Sequence, residues 1–177
     1  MAPLRYDRSR IQALLELVGE RLDGQWLLIG GGAAAAWFAP SRTTEDLDLI
    51  GLGGTQAERL ALMDLAVTAA IPIEAVNSAA AFFVRRIDGW RDQLIALHRG
   101  SRATIYRPDA TLFLLLKIGR LSAVDLEDCL ALLKHVDGSN EAVDRVRVRE
   151  QLRALPPSAD KALQRRRAVL ATAVQDD

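Results

Sequence analysis

The sequence predicts an α+β fold: a mixed β-sheet core with flanking helices, followed by a helical C-terminal part. Two patterns predict it. As far as residue 107, short strand-like apolar runs are interspersed with runs of helical period. Beyond that point only the helical period recurs. Residues 1–107 are therefore expected to form an α/β core, and residues 108–177 a helical part packed on it.

Taken in order, Asp7 or Ser9 caps a first helix in which Ile11, Leu14, Leu15, Val18 and Leu22 repeat at helical spacing. Asp23-Gly24 ends it. Trp26-Leu27-Leu28-Ile29 reads as a buried strand, followed at once by Gly30, Gly31 and Gly32. Residues 33–38 read as a helix of small residues stopped by Pro40. Asp46-Leu47-Asp48-Leu49-Ile50 alternates polar and apolar, the period of a strand with one buried face. Residues 51–54 make a turn and 55–70 a helix. Pro72-Ile73-Glu74-Ala75-Val76 is a third candidate strand, and Ala103-Thr104-Ile105-Tyr106 a fourth. Residues 79–97 carry no clear period and accommodate a short helix and a charged helix near Trp90. Pro108-Asp109 opens a helix over 111–120, Ser122 another reaching Lys134, and two more flank Pro156-Pro157.

Composition narrows the function classes. Half of the 177 residues are hydrophobic and 26% are charged, as in ordinary globular chains and unlike disordered ones. Lys and Arg total 23, as do Asp and Glu, so the chain as a whole does not attract nucleic acid. Residues 144–167 are the exception, with eight basic and three acidic side chains. Arg145, Arg149 and Arg153 form an i,i+4 stripe there, either a solvated helix face or a place for RNA to dock. Cys129 stands alone in an apolar helical run and reads as a core residue. His98 and His135 lie at no spacing that suggests a metal pair or a triad. The N-terminal residues lack an apolar signal core, and no apolar stretch approaches the ~20 residues that span a bilayer, so a cytoplasmic protein with no membrane contact is expected.

The chemistry concentrates in residues 28–50. Asp46 and Asp48 are two apart on a strand, so they share a face. Like charges held close are costly unless a cation lies between them. A hard divalent ion shared with substrate phosphates suits such a pair. Alone, the pair also fits a solvent-facing strand. The strand that ends at Gly31-Gly32 and runs into a helix offers bare backbone N–H groups to an anion. Alone, those glycines also fit a tight turn.

Together, Gly31, Gly32, Arg42, Thr44, Asp46 and Asp48 resemble the signature of the nucleotidyltransferase superfamily that includes DNA polymerase beta: a hydrophobic residue, Gly, Gly or Ser, about ten residues, then Asp-hydrophobic-Asp. The chain looks most similar to the bacterial nucleotidyltransferase-like family related to the toxins of AbiE-type toxin–antitoxin systems. That family shares Arg-x-Thr-x-Asp-x-Asp, here residues 42–48, and a later helix pair bearing Lys117, Arg120, Asp125 and Asp128. The likeness covers about residues 26–134.

The resemblance implies a nucleotidyltransferase-type sheet core and an Mg²⁺- (or Mn²⁺-) dependent enzyme. It would move a nucleotidyl group from a nucleoside triphosphate to a hydroxyl of RNA or protein. It also implies a toxin with an antitoxin protein as partner. Asp46, Asp48 and a third acid, Glu74, would be the catalytic and metal-binding residues. Gly31, Gly32, Arg42, Thr44, Lys117 and Arg120 would bind the nucleotide. The sequence departs from the pattern at three places. The family's third acid is more often Asp than Glu, the second signature position here is Gly32 rather than Ser, and Val124 stands where a Lys usually precedes the first late acid.

Other readings remain open from the residues themselves. Glu74 also fits the rim of an edge strand. Lys117 and Arg120 also fit a structural ion pair with Asp125 or Asp128, and Ser122-x-x-Asp125 fits a helix cap. The alternative to an enzyme is a non-catalytic protein of the same fold that binds a nucleotide or a protein partner.

Overall fold

The structure, a computed structural model, describes residues 5–77 and 80–175, with only the backbone of Glu74 and Asn77. The chain divides into two compact units, Met1–Pro108 and Asp109–Asp177.

The first unit is built on a mixed five-stranded sheet of order β3-β2-β1-β5-β4. The strands are β1 (Gly24–Ile29), β2 (Leu47–Gly51), β3 (Val76–Asn77), β4 (Leu94–Arg99) and β5 (Ala103–Pro108). β1 pairs antiparallel with β2 and parallel with β5. β2 pairs parallel with β3, and β4 antiparallel with β5. The α+β class read from the sequence holds.

Helix α1 (Arg8–Arg21) starts where Asp7 accepts a 2.9 Å hydrogen bond from the Arg10 amide. Its buried stripe of Ile11, Leu14, Leu15 and Val18 is the one the periodicity predicts. Trp26, Leu27 and Leu28 of β1 are fully enclosed, which removes about 1.5–3 kcal/mol of apolar exposure for each large side chain. α2 (Gly30–Trp37) follows β1 without a loop, and its Ala33, Ala34 and Ala35 are buried. Small side chains let this short helix pack closely. α3 (Gln56–Thr68) opens on a capping box in which Thr55 and Glu58 bond reciprocally. Glu58 also accepts from the Gly53 amide at 3.0 Å, so one carboxylate organises the whole turn after β2.

Two expectations in this unit need correction. Residues 72–76 are not a strand. Pro72 cannot donate a ladder bond, and the Ala75 amide returns to the Pro72 carbonyl at 2.9 Å, so Ile73–Ala75 forms a 3-10 turn. Pairing begins only at Val76. Conversely, residues 94–99 form β4, which the sequence reading left as part of an ambiguous stretch. β4 is an edge strand with no fully buried residue and a bulge between Ala96 and His98, so its burial does not alternate. The short helix expected before it is α4 (Ala81–Val84), and a 3-10 turn at Trp90–Gln93 stands where a charged helix was expected.

The second unit is entirely helical among the described residues: α5 (Ala110–Ile118), α6 (Ala123–Asp137), α7 (Arg145–Ala154) and α8 (Lys161–Ala173). Asp109 caps α5, and Ser122 with Asp125 forms the capping box of α6. Almost every residue of α5 is buried, and α6 and α7 both pack on it. No described helix is long and apolar enough to cross a membrane.

Candidate functional site

The connection from β1 into α2 builds the centre of the site. Ile29 is the register partner of Asp48, so the end of β1 delivers the first turn of α2 beside that carboxylate. Gly30 has φ +66°, a left-handed conformation that suits glycine. A Cβ placed there would lie 2.5 Å from Oδ2 of Asp48. A Cβ at Gly31 would lie 2.9 Å from Oγ1 of Thr44 and 3.3 Å from a terminal nitrogen of Arg42. Bare backbone therefore fills the space between the helix terminus and these three side chains.

The loop that carries Arg42 and Thr44 is fixed at both ends. Thr44 exchanges two backbone hydrogen bonds with Tyr6, at 2.7 and 3.0 Å. Its hydroxyl donates to the Asp46 carbonyl at 3.0 Å. Arg42 donates to the Thr43 carbonyl and is half-buried. Asp46 is exposed just before β2, and Asp48 is half-buried within it, between the inward-facing Leu47 and Leu49. The structure thus brings Gly31, Arg42, Thr44 and Asp48 together, with Asp46 two residues from Asp48.

Gly32 is buried, and a Cβ there would meet Leu28 Cδ1 at 3.2 Å, so its missing side chain serves the packing of α2 on β1. The residue next to the carboxylate is Gly30, which sequence reasoning passed over. The signal was its position directly after the buried run 26–29, where the chain must turn from strand to helix.

The third acid is placed only by its backbone. Glu74 lies in the 3-10 turn before β3, and its side chain is outside the described residues. The register partner of Asp48 on β3 is Asn77, not an acid. Among the described residues no group of three or more His, Cys, Asp or Glu is placed to hold a metal ion. The donor set at β2 is thus two carboxylates. That number fits Mg²⁺, which usually takes one or two protein carboxylates and completes its shell with water and substrate phosphate oxygens.

Lys117, Arg120, Asp125 and Asp128 belong to the second unit and form one network there. Lys117 Nζ donates to Asp125 Oδ1 at 2.8 Å and to Asp128 Oδ2 at 3.0 Å. Arg120 holds both oxygens of Asp125, at 2.8 and 2.9 Å. The Ser122 amide and hydroxyl also donate to Asp125, at 3.0 and 2.8 Å. Burial alone would raise the Asp125 carboxyl, but the hydrogen bonds from Arg120 and Lys117, the Lys117 charge and Ser122 outweigh it and hold it well below the usual carboxylate range. Lys117 and both acids are buried, whereas the Arg120 side chain is 78% exposed. This is the arrangement of a structural ion-pair cluster.

Compared with protein families, curated proteins and solved structures, the chain has no significant match.

Proposed function

We propose that the first unit is a metal-dependent nucleotidyltransferase domain that transfers a nucleotidyl group from a nucleoside triphosphate to a hydroxyl of RNA or protein. By the resemblance alone, such a domain would act as a toxin with an antitoxin protein as partner. The observation that carries the catalytic reading is the Asp48 carboxylate set against Gly30, at a helix terminus whose next residue faces Thr44 and Arg42. Such a terminus offers backbone N–H groups to phosphate oxygens, and the glycines admit a close approach.

In this reading Asp46 and Asp48 hold Mg²⁺ or Mn²⁺. When bound, the ion offsets phosphate charge and lowers the pKa of an attacking hydroxyl. Arg42 supplies positive charge at the phosphates as charge builds up on them. Thr44 holds the Asp46 backbone in place through its hydroxyl. Glu74 remains the candidate third ligand by the resemblance alone. Lys117 and Arg120 enter as the residues that tie α5 to α6 rather than as phosphate ligands. Positioning and charge account for most of such a reaction, so no covalent nucleophile is required.

A second reading is favoured by one observation: Asn77 is the register partner of Asp48 on β3. A non-catalytic domain that binds a nucleotide or a protein partner needs no third acid. Calorimetric titration with each of the four nucleoside triphosphates, with and without Mg²⁺, tests both. Mg²⁺-dependent binding that is lost in Asp46→Ala/Asp48→Ala supports the first reading, and label transfer to an acceptor separates it from the second. A folded wild type that binds no triphosphate sinks the nucleotide site in either form.

A further inference from the structure

The stripe of arginines on α7 is not one surface. Arg145 turns inward, with a side chain only 13% exposed, and bonds to Asp137 at 2.9 Å and to the Ala173 carbonyl at 3.2 Å. Arg149 and Arg153 instead line a cleft of about 240 Å³ between α7 and α8, opposite Arg167. Leu152, Ala168 and Ala171 add an apolar part to its lining. A neighbouring cleft of about 340 Å³ shares Arg149 and Arg153 and adds a single acid, Glu150.

Arg149 is half-buried and Arg153 exposed, and neither makes an ion pair or side-chain hydrogen bond among the described residues. Arg167 donates to the Pro156 carbonyl at 2.8 Å, while its Nε is buried without a hydrogen-bond partner. The buried Nε of Arg167 is a costly unmatched donor, and beside it the charges of Arg149 and Arg153 have no counter-ion among the described residues, so the cleft favours an anionic guest.

We infer that the α7–α8 cleft grips the phosphates of a single-stranded nucleic acid. Cations face the cleft from both helices, which suits a tetrahedral phosphate with oxygens pointing several ways. A planar carboxylate is satisfied by one guanidinium in a bidentate pair, so an acidic peptide gains less from two opposed walls. Two adjoining clefts that share the same arginines suit a repeating anion rather than an isolated one. No aromatic side chain lines either cleft, so there is no stacking platform. Recognition therefore runs through the backbone, without base preference and with strong salt dependence. This inference is independent of the nucleotidyltransferase reading, because its test uses neither triphosphate nor metal ion.

The test is fluorescence anisotropy of the full chain with labelled oligo(U) and oligo(dA) of about 12 nucleotides, within the usual span of single-strand sites. Three phosphate contacts predict a log–log salt slope of about −2 for both oligonucleotides. Arg149→Glu/Arg153→Glu should weaken binding on the order of tenfold or more and bring the slope to about −0.7. Arg149→Gln/Arg153→Gln should do the same in smaller measure if the reversal disturbs folding, which circular dichroism reports. Lys161→Glu/Arg165→Glu makes the same charge change on α8, at exposed residues outside both clefts, and should leave most of the affinity intact. The inference is overturned by absence of binding at low salt, by equal losses in the cleft and control variants, or by tighter binding of poly-glutamate than of either oligonucleotide.

Discussion

A Cβ on Gly30 would lie 2.5 Å from Oδ2 of Asp48, closer than any side chain can sit. Gly30→Ala must therefore displace the carboxylate proposed to hold the metal ion. It also forces a side chain into φ +66°, at about 1–2 kcal/mol. Gly24→Ala separates the two effects, because Gly24 has φ +87° but nothing within 4 Å of its Cβ position. Urea unfolding should show similar losses of about 1–2 kcal/mol for strain in both. Only Gly30→Ala should abolish Mg²⁺-dependent triphosphate binding in the calorimeter. Equal binding by the two variants would detach Gly30 from the site.

Gly19 and Gly100 mark the closest approach of α1 to the β4–β5 turn. A Cβ on Gly100 would lie 2.3 Å from Gly19 backbone atoms, and the Arg102 amide donates to the Gly19 carbonyl at 2.9 Å. Backbone on both sides leaves nothing flexible to yield. Gly100→Ala should cost about 1–3 kcal/mol, in the range of overpacked cores. Chemical denaturation measures it. A loss below a few tenths would mean that the turn can move away from α1.

Cys129 is fully buried on α6, and burial pushes its thiol up to about 12; Lys117 counters that rise in part, and Asp125 and Asp128 add to it. A thiol so placed is almost entirely protonated at neutral pH, and only the thiolate attacks alkylating agents. Iodoacetamide should label the native chain no faster than the chain unfolds, and label it at once in denaturant. Rapid native labelling would show that α6 opens locally.

Much of the architecture was legible because it rests on local rules. Asp7, Thr55, Asp109 and Ser122 cap helices where polar residues precede apolar periodicity, and β1 follows from an unbroken apolar run. β4 was not legible, since a half-exposed, bulged edge strand gives no alternation. The turn at Ile73–Ala75 was misread because Ile, Ala and Val suit a strand, while the proline that decides otherwise acts through one missing donor. At the site, the strand after the glycine-opened helix was legible, and of its two acids Asp48 lies beside Gly30. The sequence could not assign the glycines individually. Whether Gly30 or Gly32 faces the carboxylate depends on the direction in which α2 leaves β1. Lys117 was open between two roles for a similar reason: its partners lie 8 and 11 residues away, on the next helix.

The Lys117 network makes the sharpest prediction about pH. Asp125 is held below its ordinary value in the folded state, so its contribution is complete above the unfolded carboxyl value of about 3.9 and declines as pH falls below that. Wild type should lose stability steeply on acidification below about pH 4. Asp125→Ala should start lower at neutral pH, by about 3–5 kcal/mol, because Lys117 stays buried with one carboxylate gone. Its stability should then fall less steeply with acid, having no such carboxyl to protonate. Arg120→Ala should cost far less, on the order of 1 kcal/mol, since its side chain is largely in solvent and screened. Urea midpoints from pH 7 down to about pH 3 distinguish the three chains, a range set by the carboxyl titration. Parallel curves for wild type and Asp125→Ala would mean that Asp125 does not govern the acid limb, and that other carboxylates set it.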